Sequence, residues 1–289
     1  FIFTISPRKL RIIADPVYSC DYGKAVPPKI SFRESDSETI ATVDYDVYYY
    51  SDTYSLGGKN VRPSAAGRYT ARVVLADGNY TIGEAGYAEF TYVINKLNVV
   101  IRTVPTVLSH TDGDIVYNIK YGQAAGEIAL SGGEAKHGDE IVKGIFRVKD
   151  GTFMPEAGDA VIGIEFIPSD DNYATATENV RVTVAPADAS VTFTDLSGAY
   201  TGMAARDALK YTVSPSSVRV RIEFTNAYGQ VVEPVNAGGY NVVVTSLDKN
   251  YRITSYKGAG GNTPVFVVAK ASVRDVINPV ANEITVGDS

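Results

Sequence analysis

Apolar residues alternate with polar ones at a period of two along almost the whole chain, which is the signature of strands half-buried on a core. Val218, Val220, Ile222 and Phe224 interleave with Arg219, Arg221 and Glu223, so one set faces inward and the other meets water. In the same stretch, strands are predicted over 190–193, 208–213, 218–224, 240–244, 251–254 and 265–268. Turn formers separate them, among them Asn226-Ala227-Tyr228-Gly229 and Gly258-Ala259-Gly260-Gly261-Asn262. No ten-residue window carries helical periodicity bounded by caps. Phe1 to Ile5 alternate as well and predict a leading strand.

The pattern repeats. An Ala-Gly pair, a strand and an Asp-x-Asn-Tyr turn follow one another at Ala66-Gly67-Arg68-Tyr69 with Asp77-Gly78-Asn79-Tyr80, at Ala157-Gly158-Asp159-Ala160 with Asp170-Asp171-Asn172-Tyr173, and at Ala237-Gly238-Gly239-Tyr240 with Asp248-Lys249-Asn250-Tyr251. The glycine precedes the asparagine by 12, 14 and 12 residues. Hinge-like endings at Ile5, Ile94, Val184 and Val268 lie 89, 90 and 84 residues apart, each step the size of one small sandwich domain. The expected organisation is therefore repeats over 8–95, 96–185 and 186–270. Residues 1–7 would end a preceding repeat, and 271–289 would begin a fourth or form a linker. Asn282-Glu283-Ile284-Thr285-Val286-Gly287-Asp288 echoes Asn118-Ile119-Lys120-Tyr121-Gly122-Gln123, in keeping with that reading. The fold class expected is all-β, with three tandem immunoglobulin-like β-sandwich domains. A closed barrel, a β-grasp-like sheet around one helix or other small β domains in tandem are the alternatives.

Composition narrows the function. The 289 residues carry Lys+Arg 27 against Asp+Glu 33, a net charge of −6, with one Cys, two His and no Trp. An acidic balance argues against broad binding to nucleic acid or anionic lipid. One Cys forms no internal disulfide, and two His with it leave little for a zinc site. No apolar run approaches the ~18 residues needed to cross a bilayer, so neither membrane insertion nor a cofactor is expected. The chain starts at Phe1 rather than Met and reads as an excised piece of something longer.

Candidate chemistry is sparse. Tyr80, Tyr173 and Tyr251 could stack on sugar, but a tyrosine that opens a strand after an Asn-ended turn is first a packing residue. The repeated Gly67, Gly158 and Gly238 read as backbone devices, not phosphate cradles. Tyr45, Tyr48, Tyr49, Tyr50 and Tyr54 form the densest aromatic segment and the best ligand-binding candidate, because exposed tyrosines suit protein or glycan contacts. Strand alternation sends Tyr48 and Tyr50 to one face and Tyr49 to the other. Asp112 with Asp114, Asp44 with Asp46, and Asp170 with Asp171 supply too few oxygens for a recognised calcium loop and read as solvated turn acids. Lys9, Lys96 and Lys270 read as solvent-facing hinge lysines, not isopeptide donors. Cys20 has no histidine in its own repeat, and no Gly-x-Ser-x-Gly elbow occurs, so no catalytic residue is assigned.

The stretch holding Ala199-Tyr200-Thr201-Gly202-Met203-Ala204, Pro234-Val235-Asn236-Ala237-Gly238-Gly239-Tyr240, Leu247-Asp248-Lys249-Asn250-Tyr251 and Val268-Ala269-Lys270-Ala271 resembles an MBG-type repeat of bacterial cell-surface proteins. Asp21-Tyr22-Gly23-Lys24-Ala25, Ala65 to Tyr69 and Ile94-Asn95-Lys96 resemble it again. Tyr121-Gly122-Gln123, Leu130-Ser131-Gly132-Gly133 and Phe166 to Tyr173 are similar to a related variant, which departs from the pattern at Ala160. The resemblance implies tandem β domains of secreted, multi-domain adhesins or surface-layer proteins, with no catalytic residues to carry over. The function expected is a non-catalytic stalk that projects a terminal module from a bacterial surface, as an elongated monomer whose partners are its own neighbouring domains. The alternatives are an adhesive module binding host glycan or protein through the first repeat, and accessory domains of a secreted glycoside hydrolase.

Overall fold

The structure is a computed structural model and describes residues 1–51, 57–257 and 264–272. The chain divides into two compact units. The first comprises Phe1–Leu108, Ala125–Phe153 and Val161–Arg181, and the second Ser109–Ala124, Met154–Ala160 and the chain from Val182 onward. Both are built of strands. The helical elements among the described residues are two single turns of 3₁₀ helix, Ala125–Glu127 and Arg206–Ala208, so the β-grasp alternative lacks the helix it needs.

The first unit opens with an immunoglobulin-like sandwich. One sheet orders Ile40–Ala41, Ser31–Glu34, Arg8–Ile13 and Tyr80–Ile82; the other orders Val17–Asp21, Tyr87–Asn95, Gly67–Leu75 and Tyr45–Tyr50. Alternation fixes which side chains meet between them. Leu10, Phe32 and Ile82 come from the first sheet, and Val47, Tyr49, Ala71, Val73, Phe90, Tyr92 and Ile94 from the second. The chain leaves one sheet for the other at Ala14-Asp15-Pro16, where proline has no N–H to give a ladder and its carbonyl accepts from the Thr91 N–H at 3.1 Å. Arg8–Ile13 runs parallel to Tyr80–Ile82, and Val17–Asp21 parallel to Tyr87–Asn95.

A second cluster in this unit gathers Val99, Ala135, Val142 and Phe166. Val100–Thr103, Glu134–His137 and Glu140–Ile141 form the sheet on one side of it. Gly144–Val148 pairs antiparallel with the Ile164-to-Pro168 stretch on the other.

The second unit holds a sandwich of the same plan. Lys210–Ser214, Ala187–Asp195 and Tyr251–Lys257 form one sheet; Ser197–Ala199, Val265–Ala269, Gly238–Ser246 and Val220–Thr225 form the other. Val191, Phe193, Leu209, Phe224, Val242, Val244, Phe266 and Val268 fill the space between, with the Phe224 and Phe266 rings 5.3 Å apart. Here too the opening strand switches sheets, pairing parallel first to Tyr251–Lys257 and then to Val265–Ala269. The six strands predicted over 190–268 are all present, and Ser197–Ala199 is an addition too short to show a period. Val220–Thr225 is an edge strand with Arg219 and Arg221 outward, charges that discourage pairing with a foreign strand.

Residues 1–7, expected to end a preceding repeat or form a leading strand, pair with no strand among the described residues. Phe1, Ile2, Phe3 and Ile5 are instead exposed. The turn expected at 258–262, and 273–289 of the expected fourth repeat, lie outside the described residues.

Candidate functional site

The Asp-x-Asn-Tyr turn adopts one geometry in all three places. The aspartate carboxylate accepts from the N–H of the asparagine two residues on, at 2.9 Å for Asp77–Asn79, Asp170–Asn172 and Asp248–Asn250. The aspartate carbonyl accepts from the tyrosine N–H at 3.2, 3.1 and 3.1 Å. This is an Asx turn inside a β-turn, the local reason for Asp in first place. The asparagine carbonyl then accepts an N–H at the start of the next repeat: Arg8 at 2.8 Å and Ala187 at 2.9 Å, which begin strands, and Leu97 at 2.9 Å, which forms an isolated bridge with Tyr173.

These bonds leave the asparagine side chain free for something else. Asn172 Oδ1 accepts the Ala66 N–H at 2.7 Å, and Asn250 Oδ1 accepts the Ala157 N–H at 2.8 Å. In both cases the alanine belongs to the Ala-Gly pair of the preceding occurrence of the motif, 106 and 93 residues away. The turn and the Ala-Gly loop are thus the two halves of one contact. Asn250 is 8% exposed, the one buried polar residue of the described chain, so its bond is made where water competes little.

Tyrosines pack around the contact. Tyr251 meets Tyr121 edge-to-face, centroids 5.4 Å apart. At the other occurrence Tyr173 is packed beside His137 at 6.1 Å. Its phenol is raised above the usual range first by burial, then by the charges of Glu140 and Asp170 and by the nearby Tyr22. Tyr22 and Tyr121 are equivalent: each follows a short parallel strand and donates its N–H to the end of the closing strand, Asn95 and Ala185, at 2.9 and 2.8 Å. The Tyr121 contact is reinforced by charge. Arg252 donates to Asp112 at 2.5 Å and to Asp188 at 2.7 Å, Lys120 lies 3.5 and 3.7 Å from the same two carboxylates, and Lys249 lies 2.6 Å from Glu156. The Arg252 bond holds Asp112 below the ordinary carboxylate range.

The loop half is braced from behind. Tyr69 Oη donates to the Ala65 carbonyl at 2.8 Å, and Tyr240 Oη to the Asn236 carbonyl at 2.9 Å. Ala160 has no hydroxyl with which to do the same. The glycines serve two different ends. Gly158 and Gly238 take φ of +114° and +153°, which side-chain-bearing residues avoid. Gly67 makes room instead: a Cβ there would sit 3.1 Å from Tyr69 Oη.

The tyrosine segment divides by face. Tyr49 is 3% exposed and lies edge-on to Tyr92 at 5.1 Å, its phenol pushed up to about 12, chiefly by burial. Tyr45 packs on Phe32 at 5.3 Å. Tyr49, buried, is withdrawn as a ligand contact, while Tyr45 is half-buried and packs on the same face. Tyr48 and Tyr50 point to the other face, where Arg72 lies 4.9 Å from the Tyr50 ring and 4.1 Å from the Tyr87 ring and is tied to Glu89 at 2.7 Å. Tyr54 lies outside the described residues.

The turn acids have partners of their own. Asp46 meets Asn60 at 2.8 Å and Lys59 at 3.3 Å, and Asp170 also accepts from Asn172 Nδ2 at 2.7 Å. Among the described residues no three His, Cys, Asp or Glu side chains are grouped so as to hold a metal. Cys20 sits within Val17–Asp21, its Sγ 3.8 Å from Tyr92 Oη. Lys9, Lys96 and Lys270 are exposed.

Sequence reasoning placed every member of the recurring motif but took the asparagine for a turn ender only. The available signal was its identity: Asp, Ser or Gly would end such a turn as well, yet Asn stands there three times.

The fold and this contact define a class: an all-β chain with immunoglobulin-like sandwiches in which an Asx turn takes hold of a glycine loop. Within it, residues 189–272 match the model of the MBG domain family. No curated protein matches the chain. Among solved structures, it overlaps a protocadherin gammaB7 EC3-6 cis-dimer structure at 10% identity, over 92% of this chain and 76% of that one, with a TM-score of 0.24. It overlaps mouse cadherin-23 EC22-24 at 12% identity, over 91% and 100%, with a TM-score of 0.19.

Proposed function

We propose that this chain is a non-catalytic spacer of a bacterial cell-surface or secreted protein. It is built from three modules of one kind, over residues 8–95, 96–185 and 186–270, and holds other parts of that protein at a set separation. The observation that carries this reading is the asparagine bond repeated at Ala66–Asn172 and Ala157–Asn250. A chain of modules joined only by flexible linkers has no need of a side chain bridging each pair. The MBG match at 189–272 supports the module type.

The test is the stiffness of a joint. With Cys20→Ser as background, spin labels at Asp36→Cys and Asp139→Cys, both exposed and both in the first unit, are expected to give one narrow distance distribution. Asn172→Ala is expected to broaden it. A broad distribution in the unaltered chain would remove the spacer reading.

A second reading has its own observation: Tyr48, Tyr50 and Tyr87 flank Arg72 on an outward face, a surface suited to glycan or protein. If it binds host ligands, Tyr48→Ser with Tyr50→Ser abolishes signal on a glycan array or host cells while the thermal midpoint barely moves. An unchanged binding profile would leave the spacer alone.

A further inference from the structure

Three strands hold the same place in the fold. Tyr45–Tyr50, Gly144–Val148 and Val220–Thr225 each lie at the edge of a sheet and pair antiparallel with the strand that follows an Ala-Gly pair. An edge strand presents a row of backbone N–H and C=O groups with no ladder partner. On two of the three the chain folds back over part of its own edge. Asn60 N–H donates to the Val47 carbonyl at 2.7 Å, and Asn60 Oδ1 accepts the Val47 N–H at 2.8 Å. Val232 N–H donates to the Phe224 carbonyl at 2.9 Å, beside an antiparallel bridge between Thr225 and Val231.

The middle edge is bare. The Lys143 carbonyl accepts from Ser169 N–H at 2.8 Å, and Lys149 N–H donates to the Gly163 carbonyl at 2.9 Å. Bonding residues alternate along an antiparallel ladder, so Gly144 and Phe146 turn their N–H and C=O away from the partner strand, and no hydrogen-bond partner meets them among the described residues. Chain length is the reason. Val148 stands nine residues before Ala157, against twelve from Thr225 to Ala237 and sixteen from Tyr50 to Ala66. The short segment is also committed elsewhere: the Gly151 and Phe153 carbonyls accept from Gly126 and Ala125 N–H at 2.9 and 2.7 Å.

A cleft of about 500 Å³ opens beside the bare edge. Gly132 and Gly133 line it without side chains, so a second backbone can come close. Ile141 and Ile145 also line it and are 58% and 63% exposed. Lys143 and Lys149, flanking the edge, are exposed and paired with no carboxylate among the described residues. Glu134 and Glu165 are already tied, to Lys136 at 3.2 Å and to Arg147 at 2.8 Å. The unneutralised charge along this edge is therefore positive.

We infer that the Gly144–Val148 edge accepts a β-strand, and that its occupant is an extended acidic peptide of another protein, apolar at alternate positions. Each property of that peptide answers an observation. Bare backbone groups call for a strand's own N–H and C=O, the kind of partner that Asn60 and Val232 supply on the other two edges. The exposed isoleucines call for apolar side chains at a period of two, and the lysines for carboxylates between them. The edge and its cleft lie within the first unit. The inference does not depend on whether the chain spaces or binds through its tyrosine face.

The test titrates the whole chain with the peptide acetyl-Glu-Val-Glu-Val-Glu-Val-Glu-amide up to about 5 mM, read by ¹⁵N-resolved NMR and amide hydrogen exchange. The expected result is saturable shifts at Gly132, Gly133 and Gly144 to Phe146, with the Phe146 amide exchanging fast in the free chain and protected by the peptide. The Val47 amide, already bonded to Asn60, should exchange slowly with or without it. The same peptide N-methylated at every residue should not bind, and its Lys-Val analogue should bind about tenfold more weakly. Lys143→Glu with Lys149→Glu, both exposed, is expected to reverse the order of the two peptides while the thermal midpoint barely moves. Absence of saturation, shifts away from this edge, equal binding of the N-methylated peptide or indifference to charge overturns the inference. Protection of Phe146 that rises with protein concentration in the absence of peptide would give the edge to a second copy and overturn the occupant named.

Discussion

At the scale of single residues, equivalent positions are conserved in type for unequal physical reasons. Gly158 has open space where a Cβ would go, and its constraint is its φ of +114° alone. Gly158→Ala is therefore expected to cost about 1–3 kcal/mol in a denaturant titration, and no second substitution nearby should recover it. Gly67 lacks that φ and is limited by the Tyr69 hydroxyl. Gly67→Ala should cost less once Tyr69→Phe has removed the nearest of these contacts, the ring carbons remaining at 3.3 and 3.4 Å, and a double-mutant cycle reads the difference. The tyrosines divide in the same way. Tyr49→Ala empties a core site and is expected to cost about 3–5 kcal/mol, whereas Tyr48→Ala, next door on the outward face, should cost under about 1 kcal/mol. Equal losses at 49 and 48 in urea unfolding would contradict the assignment of faces.

At the scale of elements, the Asp-x-Asn-Tyr turn performs a local task and a distant one with different atoms of the same residue. Its backbone closes a turn and starts a strand pair; its side chain reaches another occurrence of the motif. Removing the side chain leaves the local task intact and strands a donor. Asn250→Ala is expected to lower stability by about 1–3 kcal/mol, because Ala157 N–H is left unpaired beside a buried position. Asn172→Ala should cost less, since Asn172 is half-buried and water reaches its partner. Asn79→Ala should cost nothing measurable, its amide having no partner among the described residues. The order 250, 172, 79 in thermal midpoints is the prediction, and hydrogen exchange at Ala157 and Ala66 should rise in the first two variants. The local half of this element was legible from the sequence, because Asp, Asn and Gly speak to turn chemistry directly. The distant half was not, because an N–H 106 or 93 residues away leaves no mark at the asparagine.

At the scale of the whole molecule, acid and alkali should act at different places. Asp112 is held below its ordinary range first by the hydrogen bond from Arg252. A group with a depressed folded value gives stability that is present above its unfolded value, about 3.9, and is lost as pH falls through the folded one. The Arg252–Asp112–Asp188–Lys120 cluster should thus be indifferent to pH between 5 and 8 and open only in strong acid, which carboxylate ¹³C shifts would follow. Tyr49 runs the other way. Its folded value is raised to about 12, so its contribution is complete below the unfolded value near 10 and is lost as pH rises through about 12. Alkaline melting in that window, shifted upward by Tyr49→Phe, is the expected outcome.

By itself the sequence determined the strand content, the faces of most strands and the three occurrences of one motif, because alternation and turn chemistry are read within a few residues of where they act. It also placed Tyr48 and Tyr49 on opposite faces. Only the tertiary structure decided which of those faces is the core, since a period of two does not say which side another sheet will cover. And only it joined Asn172 to Ala66 and Asn250 to Ala157, because a hydrogen bond across about a hundred residues is made by the packing of whole sandwiches, to which the local pattern contributes nothing but the right atoms.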